Sequence, residues 1–250
     1  MAKRNTDFDM DGWLKRSSDL SVLQALHTHA AERGGLDAVM MLRGEERVVW
    51  SFDKLWRGIC GAAERLRKKG ADTGDHVALI GENSLEWLLF YFGTLQAGCT
   101  VVPLDPQFGA STIQDVLEET KPTVIVSNRH FTGYKAAGYI ELGEATQAFA
   151  ENAEVCEPPE REGMAQAIIY TSGTTGKPKG VVLTDENIRA NVRDIMSLGL
   201  TMPGGRATSF LPYFHAYSLT ASVIMPLFSG MAICMSALEP GAIRESMSAF

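Results

Sequence analysis

A stretch that cannot lie in a hydrophobic core, set between two that can, constrains this chain more than any other feature. Gln166–Leu183 reads QAIIYTSGTTGKPKGVVL. Ala167–Tyr170 is apolar and partly β-branched, which predicts a strand buried on both faces, and Val181–Leu183 predicts the same. Between them Thr171–Gly180 carries four hydroxyls (Thr171, Ser172, Thr174, Thr175), three glycines and two lysines, with Pro178 as its one apolar residue.

That composition suits polyphosphate. Phosphate oxygens need donors from several directions, and hydroxyls, exposed backbone N–H groups and ammonium groups supply them. Gly173, Gly176 and Gly180 let the backbone approach closely or adopt positive φ, and Pro178 stiffens the spacing between Lys177 and Lys179. By composition alone an ordinary surface loop fits as well, because these residues all favour turns. The loop is not a GxxxxGK[ST] phosphate loop: Pro178 stands five residues after Gly173 and follows Lys177 where Ser or Thr is required.

The rest of the chain reads as alternating helices and strands. After a polar arm (1–20), a helix is expected over Val22–Arg33, then a hairpin of Val39–Leu42 and Arg47–Trp50 around Gly44. Ser51 caps a helix Phe52–Lys69, and Val77–Ile80 follows as a strand. Ser84 caps a helix Leu85–Ala97, Thr100–Leu104 is a strand, and Ser111 with Gln114 makes a capping box for a helix to Thr120. Val124–Ser127 is the next strand, and the acidic Ala150–Gly163 with Pro158-Pro159 reads as a linker. Thr184 caps a helix from Asp185, Ala207–Leu211 is a strand, and a last helix covers Glu239–Ala249. The alternation predicts an α/β fold with mostly parallel sheets flanked by helices. The expected division is an arm (1–20), a first α/β subdomain (21–163), and the loop segment with the start of a second subdomain (164–250).

Charge and cysteines narrow the class. A net charge of -7 and a pI of about 5.3 argue against nucleic acid as a partner, since such binders present a basic surface. The four cysteines, Cys60, Cys99, Cys156 and Cys234, show no metal-ligand spacing and read as reduced, mostly buried thiols of a cytoplasmic protein. No apolar leader segment is present in Met1–Arg16. Leu219–Leu238 is long enough to cross a bilayer, but Pro226 and Ser229-Gly230 divide it, so the expectation is a buried helix and a buried strand Met231–Met235 with no membrane span.

Tyr170–Gly180, YTSGTTGKPKG, closely resembles the signature loop of the adenylate-forming, or AMP-binding, superfamily, which contains acyl-CoA and aryl-CoA synthetases, nonribosomal-peptide adenylation domains and luciferases. Ser51–Trp87 (SFDKLWRGICGAAERLRKKGADTGDHVALIGENSLEW) and Leu95–Pro106 (LQAGCTVVPLDP) resemble two further blocks of that family. The resemblance implies that Thr171, Ser172, Gly173, Thr174, Thr175, Gly176, Lys177, Lys179 and Gly180 hold the β- and γ-phosphates of ATP, with Thr171 also placed to contact Mg²⁺. It further implies a carboxylic acid substrate, activated to an acyl-adenylate and passed to a thiol, CoA or that of a carrier protein. Leu211–His215, LPYFH, resembles the block whose aromatic or His position lies beside the acid's carboxylate and gates the thiol tunnel, which assigns that role to His215. A lone His in an aromatic stretch also fits a satisfied core residue. Amino-acid-activating members carry Asp just after the Phe; His215 stands there, which favours a fatty or aryl acid.

Family members are longer than 250 residues. The resemblance therefore covers the front portion of an incomplete large domain, and implies a missing carboxyl-terminal domain or companion chain, without which this chain is expected to be inactive. The alternative is a non-catalytic nucleotide- or partner-binding module that keeps part of the fold.

Overall fold

The structure is a computed structural model and describes residues 10–43, 46–129, 134–143, 149–151, 153–161, 163–171, 178–199, 201 and 204–236. Its first helix, α1 (Met10–Arg16), falls where a polar arm was expected. One aromatic anchor explains the difference: Trp13 is 2% exposed, packs tilted against the His29 ring, and donates from Nε1 to the Phe228 carbonyl (3.2 Å). Helix α2 (Val22–Arg33) starts at a reciprocal capping box, in which Ser21 Oγ accepts from Gln24 N and Gln24 Oε1 accepts from Ser21 N. Strands β1 (Asp37–Arg43) and β2 (Glu46–Ser51) form the expected hairpin.

Helix α3 (Phe52–Lys68), β3 (His76–Ile80), α4 (Leu85–Gln96), β4 (Thr100–Leu104), α5 (Ala110–Thr120) and β5 (Val124–Ser127) follow within a residue or two of the expected bounds. Ser84 caps α4 as expected, accepting from Trp87 N at 3.0 Å. The capping box expected at Ser111 does not form. Gly109 occupies the cap position of α5, and Gln114 instead donates from Nε2 to Glu118 Oε1 (2.7 Å), one turn along. A strand not expected from the sequence, β6 (Gly138–Glu141), comes next.

Strands β7 (Ala165–Thr171) and β8 (Lys179–Thr184) then precede α6 (Asp185–Ser197) and β9 (Arg206–Ser209). A composite helix runs through α7 (Ala216–Ser218), a π-helical stretch (Leu219–Ile224) and α8 (Met225–Phe228), and β10 (Ala232–Met235) follows. Leu219–Met235 is thus a buried helix, turn and strand, as expected. Pro226 does not interrupt the helix, because it lies in the first turn of α8 just past the π-helical stretch, where a missing N–H costs little. The break comes at Ser229-Gly230, where Gly230 takes φ +77. Among the described residues no helix is long and apolar enough to cross a membrane. Glu239–Ala249 and the tip of the β1–β2 hairpin lie outside the described residues.

The chain divides into two compact units, Arg57–Asp185 and the remainder, Met1–Trp56 with Glu186–Phe250. The latter holds a four-stranded sheet in the order β2-β1-β10-β9, with β1, β10 and β9 parallel and β2 antiparallel. The Arg57–Asp185 unit holds a six-stranded sheet, β6-β5-β3-β4-β7-β8, parallel throughout except for β8. A break at 163/164, as expected from the sequence, would separate β6 from β7, which share that sheet. The core of the unit packs α5 against β3, β4 and β5 through Ile113, Val116, Leu117, Ala78, Ile80, Val102, Leu104 and Ile125.

Two expectations fail in this unit. Strand β8 was read as buried, yet Val181 and Val182 are 45% and 57% exposed, because β8 is the last strand of the sheet. Apolar composition marks a strand but does not say whether a neighbour covers it. The four thiols were read as reduced, whereas Cys60 on α3 and Cys156 are joined in a disulfide, and Cys99 and Cys234 alone are free and buried.

Candidate functional site

The hairpin of β7 and β8 carries the loop. Its register pairs Ile169 with Val181, Tyr170 with Gly180 and Thr171 with Lys179, so Thr171 and Lys179 close the ladder. Directly opposed residues of an antiparallel pair share a face, which puts the Thr171 and Lys179 side chains on the same face of the hairpin. Both residues are exposed. Because β7 runs parallel to β4, β3, β5 and β6, the loop leaves the same sheet edge as the segments after Ile80, Leu104, Ser127 and Glu141. That carboxyl edge is where α/β sheets bind ligands.

Gly180 has a packing part that its sequence context did not suggest. It lies within β8 and is not among the described glycines with positive φ. A Cβ there would sit 3.0 Å from Ile168 Cγ2 and 3.1 Å from Tyr170 Cζ. The missing side chain makes room for Tyr170, which is buried in the α5-facing core and anchors the loop's base. Burial and the neighbouring Glu119 carboxylate, which accepts its hydrogen bond, push the Tyr170 phenol up to about 12, so it stays a neutral donor at physiological pH. Ser172, Gly173, Thr174, Thr175, Gly176 and Lys177 lie outside the described residues.

The start of β7 is held by a residue that the sequence reading passed over. Arg161 is 8% exposed and donates from Nη1 to Leu95 O (2.8 Å) and from Nη2 to Cys99 O (2.9 Å) and Ala165 O (2.7 Å). It ties the end of α4 to the first residue of β7. Gln166, also buried, donates from Nε2 to Asp185 Oδ1 (3.1 Å). A lone arginine in an acidic linker beside an apolar strand was the available signal.

In the other unit, His215 follows the carboxyl end of β9, as expected, and is the N-cap residue of α7. Its carbonyl accepts from Leu219 N (3.0 Å) and from Ser218 Oγ (3.1 Å), which also donates to the Pro212 carbonyl. Tyr213 and Phe214 turn inward and are buried, while His215 and Tyr217 are exposed. The imidazole meets the Phe214 ring edge to face at 4.6 Å. His215 is therefore not a core histidine.

Among the described residues no group of three or more His, Cys, Asp or Glu could hold a metal ion. A magnesium ion held through phosphate oxygens would need no such cage, and a hydroxyl such as that of Thr171 is a hard oxygen donor of the kind it accepts.

The chain and its fold have counterparts among known proteins. A feruloyl-CoA synthase from Amycolatopsis sp is 30% identical over 202 residues, covering 79% of this chain and 41% of that protein. A 4-hydroxyphenylalkanoate adenylyltransferase from Mycobacterium marinum (strain ATCC BAA-535 / M) is 32% identical over 186 residues, covering 67% of this chain and 29% of that protein. The crystal structure of ATP-bound MatB from Rhodopseudomonas palustris superposes with a TM-score of 0.76 at 21% identity, over 92% of this chain and 48% of that one, a likeness of fold. The chain thus spans less than half the length of these relatives. With the AMP-binding enzyme family matching residues 26–247, on both sides of the hairpin that bears the loop, the chain belongs to that family.

Proposed function

We propose that this chain carries the nucleotide-phosphate and acid-side elements of a ligase that uses ATP to activate a carboxylic acid as its acyl-adenylate and then passes the acyl group to a thiol such as CoA or a carrier protein. The observation that carries this reading is the pairing of Thr171 with Lys179 at the open end of a hairpin on the sheet's carboxyl edge. Both reactants of the first step are anions, and the leaving pyrophosphate gathers more charge. Donors fixed in place before the reaction offset that charge without reorganising. Lys179, anchored on β8, supplies a cation, and Thr171 a hydroxyl. Residues 172–177 add further hydroxyls and glycine N–H groups in this reading. Thr171 and the substrate phosphates would hold Mg²⁺, which when bound neutralises phosphate charge. Relatives named for feruloyl-CoA synthesis and for adenylyl transfer to a hydroxyphenylalkanoate support an aryl or fatty acid as the substrate.

Lys179→Ala should weaken MgATP binding by roughly ten- to a hundredfold, which corresponds to the ~1.5–3 kcal/mol of a hydrogen bond to a charged group. Isothermal titration reads this directly. Unchanged affinity would contradict the phosphate-loop assignment and favour a module that binds a partner instead.

His215 is assigned to the acid and thiol side of the reaction. It is exposed at a helix start and backed by the Phe214 ring. In a protein joining this chain to the remaining length its relatives carry, His215→Ala should change KM for the acid or thiol by more than it changes KM for ATP. An equal loss in both would remove the assignment.

A further inference from the structure

The segment that delivers the chain to β7 is fastened at three places, and one fastening is a covalent bond that thiols can open. Cys156 is bonded to Cys60 of α3. Beside it, Gln96 Nε2 donates to Glu157 O (2.7 Å) and lies 3.2 Å from Cys156 Sγ. Arg161 then grips Leu95 O, Cys99 O and Ala165 O. Direct pairing of β7 with the parallel sheet is short, registered at Val101↔Ala167, with Thr100 Oγ1 donating to Ala165 O (3.1 Å). The position of β7, and of Thr171 at its end, therefore depends on how firmly the 156–161 strap is held.

The two sulfurs are unequal. Cys60 is buried at 4% exposure, while Cys156 is half-buried in irregular backbone. The Cys156 N–H points at Cys60 Sγ (3.3 Å), a donor ready for a thiolate at that atom. We infer that Cys60–Cys156 is a thiol–disulfide latch on the strap, opened by dithiol reductants, which sets how well the loop base is positioned to bind phosphate; as regulation of that loop it rests on the phosphate-binding reading.

The exchange balances. One thiolate of the dithiol attacks Cys156 Sγ, the S–S bond breaks, and its electron pair leaves on Cys60 Sγ beside the Cys156 N–H. The second thiolate attacks its partner sulfur in the mixed disulfide and releases Cys156 with its electron pair, next to Gln96 Nε2. The protein gains two electrons and two protons, and the dithiol departs as a disulfide. Cys99 serves as an internal control, since burial pushes its thiol up to about 11 and Sγ faces Asp72 O at 3.2 Å.

The test compares the full chain purified without reductant with the same chain after dithiothreitol, and both with Cys156→Ser and Cys60→Ser. Amide hydrogen exchange over 153–171 and MgATP titration are the readouts. Reduction should speed exchange in 156–161 and at the start of β7 and weaken MgATP binding about fivefold, as expected if the fraction of well-positioned loops falls by that factor. The serine variants should show the weaker affinity in both conditions, and after reduction a native-state alkylating agent should label Cys156 but not Cys99. Unchanged exchange across 165–171 on reduction, or free thiols at both positions that a mild disulfide oxidant cannot join, would overturn the latch. If exchange responds but MgATP binds in neither state, the latch stands and the phosphate reading falls.

Discussion

Arg161→Met is expected to lower the unfolding free energy by about 3 kcal/mol. The guanidinium makes three hydrogen bonds of 2.7–2.9 Å to backbone carbonyls in a site where it is 8% exposed. A bond from a charged donor contributes roughly 1.5–3 kcal/mol, which sets an upper range well above the expected loss. Two terms reduce it. Burial holds the Arg161 pKa below its ordinary value, so the folded state already carries a desolvation cost that methionine removes. Two of the carbonyls also keep a second donor, Gly98 N for Leu95 O and Thr100 Oγ1 for Ala165 O. Cys99 O loses a partner with no such replacement among the described contacts. Methionine preserves much of the side-chain volume, so the polar loss is separated from a cavity. Urea unfolding with an unchanged m value measures the difference. A loss under about 1 kcal/mol would mean that the three bonds do little more than offset desolvation.

What the sequence disclosed and what it concealed differ in kind. Helices α2 and α4 were legible because local signals agreed, an apolar run with a serine before it and a glycine after it, and strands β4 and β5 because each is a short, apolar, largely β-branched run. The loop was legible because its composition forbids burial. Most of the failures concern partners distant in sequence. Trp13 docks on residues around Phe228, and nothing near Met10 announces that. Cys60 and Cys156 are 96 residues apart and match no spacing rule. Val181 and Val182 look like core until the sheet is seen to end at β8. That Gly180 also makes room for Tyr170 shows only in the strand register, which sets the two opposite each other. Strand β6 is four residues long and begins at a glycine, too little for periodicity to mark.

His29 should make the chain's stability drop as the pH is lowered through a defined window. The ring is 2% exposed, lies 4.3 Å from the Trp13 ring and 5.1 Å from that of Phe52, and has Gly230 against its Cε1 side. Its Nε2 is 2.9 Å from Phe228 O, an acceptor, so Nε2 carries the proton and protonation would have to occur at Nδ1. Burial is the main reason its pKa drops from 6.5 to about 4, with Arg33 and Arg16 adding to the effect and the Phe228 carbonyl and Glu32 opposing it. The unfolded chain therefore binds a proton between pH 6.5 and 4 that the folded chain does not, and stability rises with pH across that interval. The contribution is complete above pH 6.5 and is lost as the pH falls through 4, for a total of about 3 kcal/mol. Carboxylates also titrate in the lower half of the window, so the informative quantity is a difference. His29→Gln keeps a donor for Phe228 O and cannot titrate, and the wild-type stability minus that of the variant should be flat above pH 6.5 and decline by about 3 kcal/mol down to pH 4. A difference that stays constant from pH 7 to 4 would show that His29 binds its proton equally well in the folded chain, and that the packing of Trp13, Phe52 and Gly230 around it excludes no charge.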